Sequence, residues 1–264
     1  MTWQDQARQL GFGHKIKIPC CSSDPSSYIS NSKHGIRMGP CFRCGHTDFE
    51  RHAGLTIQER LAMRSAVEEL KGLKYKPATV SITEAPQEAW LWCLQAGISP
   101  EDATNTYSFG WSDKSQRVIV PILQDMRDTG AFIARAVDKR TKPKYVLSAN
   151  AKGKYWYAGT GPTVIVEDIL SAIAVHRAGY RSVAAMGTHF TPELLDIATR
   201  TGELVAWLDD DEAGKKAYRY LRKQIGLWDV KFYRVQSNRD PKLHGADEIR
   251  QLVEASLGDK HDRY

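Results

Sequence analysis

Long apolar runs are missing from this 264-residue chain. An uncharged stretch such as Gly159 to Val166 is far too short to cross a bilayer, and the polar start Met1-Thr2-Trp3-Gln4-Asp5 lacks a signal-peptide core. Cysteine is scarce, with five residues, and too clustered to frame a disulfide scaffold. No internal repeat or low-complexity tract occurs, which excludes solenoids and linker-like chains. Gly-x-x-x-x-Gly-Lys-Ser/Thr is absent, so no P-loop cradles a nucleotide. What is there is a folded chain, expected in the cytoplasm, with seven Trp, eleven Tyr and seven Phe to build cores. Thirty-seven basic against thirty-one acidic residues give a net charge of +6, which suits a polyanionic partner without requiring one.

Four of the five cysteines, Cys20, Cys21, Cys41 and Cys44, fall within one 25-residue window. Cys41-Phe42-Arg43-Cys44-Gly45 has the form of a knuckle, in which a Cys-x-x-Cys turn aims two thiolates at one ion and the glycine lets the backbone fold back. The adjacent Cys20-Cys21 supplies the other half, or one of them is replaced by His14, His34 or His46; buried structural thiols are the bland alternative. The intervening text reads as a turn and a short strand, the layout of a zinc ribbon. Lys15, Lys17, Arg37, Arg43 and His46 surround it with Tyr28 and Phe42 interleaved, a set suited to phosphates and unpaired bases, or to a solvated basic face. Cys93, alone in an apolar run, reads as a buried hydrophobe.

Residues 56–70 carry apolar side chains at helical spacing, a helix or tether, with a domain boundary near Tyr75. Arg117 to Leu123 and Gly130 to Val137 read as two strands of a hairpin turning at Arg127-Asp128-Thr129-Gly130. From Arg135 to Lys154 come seven basic residues, among them Lys139, Lys142 and Lys144, against one acid, interleaved with Tyr145, Tyr155, Trp156 and Tyr157. Such a run offers phosphate neutralisation and stacking platforms for a nucleotide or a single strand, unless it merely keeps a surface wet.

From Thr163 onward strands alternate with helices. Thr163-Val164-Ile165-Val166 ends at Glu167; Ser182 to Met186 ends at Gly187-Thr188; Leu204 to Leu208 ends at Asp209-Asp210-Asp211; a helix with Lys215 follows. Parallel strands joined by helices place their ligands beyond the carboxyl ends, which makes Glu167, Gly187-Thr188 and Asp209/Asp211 spatial neighbours. Carboxylates gathered there call for a divalent cation, Mg2+ or Mn2+. Alternation turns Asp210 away from Asp209 and Asp211, and an Asp-rich helix cap is the competing account of the cluster.

A strand ending in Glu, a strand ending in Gly-Thr and a strand ending in Asp-x-Asp resemble the TOPRIM domain shared by bacterial-type primases, topoisomerases and related nucleases. Leu208-Asp209-Asp210-Asp211-Glu212-Ala213-Gly214-Lys215-Lys216-Ala217, with Asn238-Arg239-Asp240-Pro241-Lys242 downstream, is similar to the corresponding motifs of bacteriophage replicative primases. The order ribbon, tether, basic hairpin and TOPRIM extends the resemblance over nearly the whole chain. It implies a zinc-ribbon template-binding domain over 1–54, a helical linker over 55–75 and an RNA polymerase domain over 76–264, α/β in class, with the TOPRIM parallel sheet at 160–250. It further implies that Glu167, Asp209 and Asp211 hold the catalytic metals and that the ribbon, with zinc on Cys20, Cys21, Cys41 and Cys44, helps read the template. Incoming ribonucleoside triphosphates fall to Arg135, Lys142 and Lys144, with Lys139, Gly187, Thr188 and Lys215 as further candidates. Two departures stand out: the family's Glu-Gly-x-x-Asp is Glu167-Asp168-Ile169-Leu170-Ser171 here, so that Asp168 or Asp240 would substitute, and the first cysteine pair is adjacent.

The expectation is therefore a primase making short RNA primers on single-stranded DNA, with a replicative helicase or polymerase as a separate chain and, if phage-encoded, the host cytoplasm as its location. A non-catalytic zinc/TOPRIM recombination mediator and a TOPRIM nuclease are the alternatives.

Overall fold

The computed structural model describes residues 2–10, 14–32, 35–51, 57–138, 141–187, 190–226 and 228–258. His34, Lys139 and Thr188, singled out above, lie outside the described residues. The chain divides into two compact units, residues 1–62 and 63–264.

The first unit opens with α1 (Trp3–Gln9), a helix too short to show in the sequence pattern. A reciprocal cap starts it: the Thr2 hydroxyl accepts from the Asp5 amide at 3.2 Å while the Asp5 carboxylate accepts from the Thr2 amide at 3.0 Å. Strands β1 (Lys15–Pro19), β2 (Pro25–Ser32), β3 (Gly35–Met38) and β4 (Asp48–Arg51) then form an antiparallel meander. Ala7, Ile18, Ile29, Ile36 and Met38 make its core. The pairings Lys15 to Ser30, Ser30 to Arg37 and Arg37 to Phe49, with Lys17 to Tyr28, line the basic and aromatic side chains up on the other face. Five buried apolar side chains are a small core for sixty residues.

Helix α2 (Ile57–Gly72) contains the division between the units. In its second half Val67 and Leu70 are buried with Ile119, Phe132, Ala134 and Val146, so that part of the helix packs on the sheet of the second unit. Then come α3 (Gln87–Leu94) and α4 (Pro100–Asn105), the latter capped by Ser99, whose hydroxyl accepts from the Asp102 amide at 3.0 Å.

Among the described residues nine strands build the second sheet: β5 (Gly110–Ser112), β6 (Arg117–Gln124), β7 (Arg127–Arg135), β8 (Tyr145–Leu147), β9 (Tyr157–Ala158), β10 (Thr163–Val166), β11 (Arg181–Ala184), β12 (Glu203–Ala206) and β13 (Lys231–Arg234). The order is β13-β12-β10-β11-β9-β6-β7-β8, with β5 on β6. The β6–β7 hairpin corrects the sequence reading. Its turn is Asp125-Met126, both with positive φ, while Gly130 (φ 73°) sits at a register shift within β7. The segment Arg127-Asp128-Thr129-Gly130, read as the turn, lies within β7 instead, and its glycine serves a bulge.

Strands β13, β12, β10 and β11 are parallel, linked by α5 (Ile169–Arg177), α6 (Pro192–Thr199) and α7 (Glu212–Ile225), with α8 (Ala246–Gly258) last. Alternation sends Val164 and Val166 into a core with α5 and α8, and Ile165 into a second core with α6 and α7. Burial on both faces explains the apolar run Val164-Ile165-Val166 in β10. Because β10 lies between β11 and β12, the segments leaving all three strands emerge side by side. Among the described residues no helix is long and apolar enough to cross a membrane.

Candidate active site and cysteine cluster

Glu167 follows β10 directly and Asp209 lies three residues beyond β12. The Asp209 amide donates to Glu167 Oε1 at 3.2 Å, so the two ends are tied together. Asp211 caps α7, one carboxylate oxygen accepting from the Gly214 amide at 2.7 Å. The cap reading and the ligand reading of Asp211 are thus compatible, since only Oδ1 is engaged there. Asp210 turns instead to Lys215, 3.3 Å away. Gly214 makes room for this arrangement: a Cβ at that position would lie 2.0 Å from the Asp209 carbonyl oxygen and 3.1 Å from Glu167 Oε1.

The electrostatics follow from the crowding. Burial, and then the charges of Asp209, Asp211 and Asp168, push the Glu167 carboxyl up to about 7, although the Asp209 amide works the other way. Asp209 is pushed up to about 6 by burial and by Asp240, with Lys242 opposing. Lys242, on the 3₁₀ turn Pro241–Leu243, reaches Asp168 and Asp240 at 2.6 Å each. Burial works to discharge its ammonium, but the two carboxylates outweigh it and hold it above the usual lysine range. Asp168 also caps α5, accepting from the Ser171 amide at 3.1 Å and the Ser171 hydroxyl at 3.0 Å. Carboxylates crowded and partly buried at adjacent strand ends, where their negative charges repel, fit a hard oxygen-seeking divalent cation.

A pocket of about 220 Å³ joins this acidic edge to the basic hairpin; Trp92, Arg135, Lys144, Tyr145, Asp168 and Lys242 line it. Arg135, half-buried at the end of β7, stacks on Tyr145 (4.5 Å to the ring centroid) and packs against Trp92 (5.9 Å). Two of its guanidinium nitrogens are buried with no acceptor among the described residues. The aromatic rings fix the guanidinium while leaving its donors to a ligand. Lys144 lies over Tyr145 at 5.2 Å. Of the other sequence candidates, Gly187 follows β11 with φ 139°, next to the Glu167 strand, while Lys142 is exposed and does not line the pocket. Lys215 borders a different hollow, with Arg219 and Arg234. Trp92 and Lys242 were not read as site residues. Trp92 sits in an apolar run that looks like core, and a lysine two residues past Asp240 carries no signal of its own.

In the first unit the Sγ atoms of Cys20, Cys41 and Cys44 lie within 4.8 Å of one another. Cys20 and Cys44 are 3.9 Å apart, and Cys21 approaches Cys41 at 3.7 Å. With zinc–sulfur bonds of about 2.3 Å, a tetrahedral site has sulfur–sulfur edges of roughly 3.8 Å, so Cys20, Cys41 and Cys44 fit zinc, while Cys21 lies outside that group of three. The knuckle is built as the sequence reads: Gly45 has φ 71° and its amide donates to the Cys41 carbonyl at 2.9 Å. The Ser26 hydroxyl, 3.3 Å from Cys41 Sγ, and the amides of Cys44 and Arg43 bring that thiol down to about 5. His46 serves the knuckle through its backbone, its carbonyl accepting from the Cys41 amide at 2.9 Å. Lys15, Lys17 and Arg37 are exposed on the outer face of the sheet; Arg43 is exposed but engaged with Asp24 at 2.7 Å. Cys93 is fully buried, which pushes its thiol up to about 12.

A family model described as Toprim-like matches residues 164–242, the stretch that carries the carboxylates. The fold is similar to the zinc-binding and RNA polymerase domains of the Aquifex aeolicus primase, at TM-score 0.54 and 17% identity, over 97% of this chain and 86% of that one. It is also similar to a DnaG primase catalytic domain bound to ssDNA (TM-score 0.55, 14% identity, 76% of this chain and 80% of that one). A third likeness is to the RNA polymerase domain of Mycobacterium tuberculosis primase DnaG (TM-score 0.54, 19% identity, 74% and 82%). No curated protein matches the chain by sequence. Residues 164–242 thus match the Toprim-like model, in a chain whose fold is similar to that of primase zinc-binding and RNA polymerase domains.

Proposed function

We propose that this chain is a DNA-dependent RNA primase, a nucleotidyltransferase that joins ribonucleoside triphosphates into short primers on single-stranded DNA. The observation that carries the reading is the meeting of Glu167 with Asp209 next to Asp168, which lines, with Lys242, Arg135 and Lys144, a pocket reaching from the acidic edge to the basic hairpin. Glu167, Asp209 and Asp211 would hold Mg2+ or Mn2+. When bound, the cation lowers the cost of ionising a primer 3′-hydroxyl and neutralises charge on the departing pyrophosphate. Arg135, pinned by Tyr145 and Trp92, clamps the triphosphate, and Lys144 adds a second positive charge. The outer face of the ribbon, with Lys15, Lys17, Arg37 and Phe49, offers phosphate contacts and a stacking surface to the template. A replicative helicase or polymerase would act as a separate partner.

The fold shared with primase zinc-binding and polymerase domains supports this reading. The zinc-loaded protein, given short templates, ribonucleotides and Mg2+ or Mn2+, should make short RNA oligomers. Asp209→Ala should abolish them, and Arg135→Ala should raise the nucleotide KM by tenfold or more. Cleavage of the template, or retention of it with no synthesis across a varied template panel, would refute the proposal.

A further inference from the structure

The acidic edge holds five carboxylates, Glu167, Asp168, Asp209, Asp211 and Asp240, and one ammonium, Lys242. These are not equivalent as metal ligands. Asp168 Oδ2 accepts from Lys242 at 2.6 Å and from the Ser171 hydroxyl at 3.0 Å, and Asp168 Oδ1 accepts from the Ser171 amide at 3.1 Å. Asp240 Oδ2 meets the same ammonium at 2.6 Å. Lys242 itself is held in place: the turn Pro241–Leu243 packs on α5, the helix that Asp168 caps, and Pro241 is buried. Its side chain is only 24% exposed. Asp168 and Asp240 thus form one half of the cluster, sharing one tethered cation that cancels half of their charge. Glu167, Asp209 and the second oxygen of Asp211 form the other.

Two-ion phosphoryl-transfer sites hold their ions about 4 Å apart, and the second ion needs oxygen ligands of its own. Here those ligands would be Asp168 and Asp240. Magnesium bonds oxygen at about 2.1 Å, so an ion on either of the oxygens that Lys242 holds would sit within about 5 Å of the ammonium. In a partly buried site a monovalent and a divalent cation repel strongly at that separation.

We propose that Lys242 is a positioning residue that stands where a second divalent cation would bind, so that the acidic edge takes one ion, at Glu167, Asp209 and Asp211. This rests on the reading of the cluster as a divalent-cation site. The ammonium cannot coordinate a substrate oxygen as a metal does, but it can hold Asp168 and Asp240 fixed and limit the repulsion they exert on Asp209.

The test counts ions on the full chain, zinc-loaded so that the thiols are occupied, by titration with Mn2+ followed by electron paramagnetic resonance. The wild type should bind one Mn2+ per chain with an uncoupled spectrum, lost in Asp209→Ala. Lys242→Met should bind two, with the spectrum of a coupled pair, and Lys242→Gln should do the same if the methionine variant fails to fold. Lys242→Arg should stay at one. Two coupled ions on the wild type would overturn the inference and leave the proposed function standing, as would a count of one in both neutral variants. No Mn2+ on the wild type would overturn the cation site and this inference with it.

Discussion

Gly214 sits in the first turn of α7, where two effects of opposite sign compete on its replacement by alanine. Helix propensity favours alanine over glycine by up to about 1 kcal/mol. Against it, the added Cβ would lie 2.0 Å from the Asp209 carbonyl oxygen and 2.9 Å from its carbonyl carbon. Carbon and oxygen tolerate no closer than about 3.3 Å, so backbone must shift by about 1 Å, and overpacking of this kind costs roughly 1–3 kcal/mol. The net expectation is a loss of about 1–2 kcal/mol, or a fall in Tm of roughly 2–8 °C for a unit of this size. The displaced atoms belong to Asp209, and the same Cβ would come within 3.1 Å of Glu167 Oε1, so Mn2+ affinity should fall as well. Gly226 at the far end of α7 is the control. Its φ is −59° and its nearest contacts are 3.6 Å or more, so Gly226→Ala should be neutral or stabilising by about 0.4–1 kcal/mol. Calorimetry with an Mn2+ titration on both variants decides the matter: Gly214→Ala as stable as the wild type, with unchanged Mn2+ affinity, would refute the steric account.

Zinc and pH provide two further tests. Chelation should unfold the first unit while sparing the second, because five buried side chains cannot hold the meander alone; hydrogen exchange should lose protection in residues 15–51 and keep it in β10 and β12. Glu167 and Asp209 stand at about 7 and about 6 when folded, above their ordinary values of 4.5 and 3.8, so the folded chain binds more protons than the unfolded one between those limits. The stability these groups contribute is therefore full below pH 4 and lost as pH rises through 7. Thermal midpoints without divalent cation should show Glu167→Gln gaining on the wild type across that window, and added Mn2+ should abolish the gain; parallel curves would sink the assignment.

The parallel half of the second unit was legible because its signals are local. Three apolar residues closed by Glu167, and caps such as Asp168 and Thr191, mark strand ends and helix starts whatever surrounds them. The meeting of Glu167 with Asp209 followed from a topological rule, since adjacent parallel strands deliver their carboxyl ends to one edge. Signals with two structural meanings misled: Gly130 marked a bulge and not the turn, and the periodic text of α2 did not reveal that Val67 and Leu70 are buried on the sheet. Helix α1 was too short to announce itself.

By itself the sequence determined which residue types were available: thiols at knuckle spacing, carboxylates at strand ends, and cations interleaved with aromatic rings. Only the tertiary structure decided which charges neutralise one another. Asp210 went to Lys215, Asp168 and Asp240 went to Lys242, and Arg135 was left with two aromatic neighbours and buried nitrogens lacking an acceptor among the described residues. The reason is physical. Chain order and alternation set the direction of a side chain within its own element, whereas Coulomb energy depends on separations across elements, and those exist only once the helices and strands have packed.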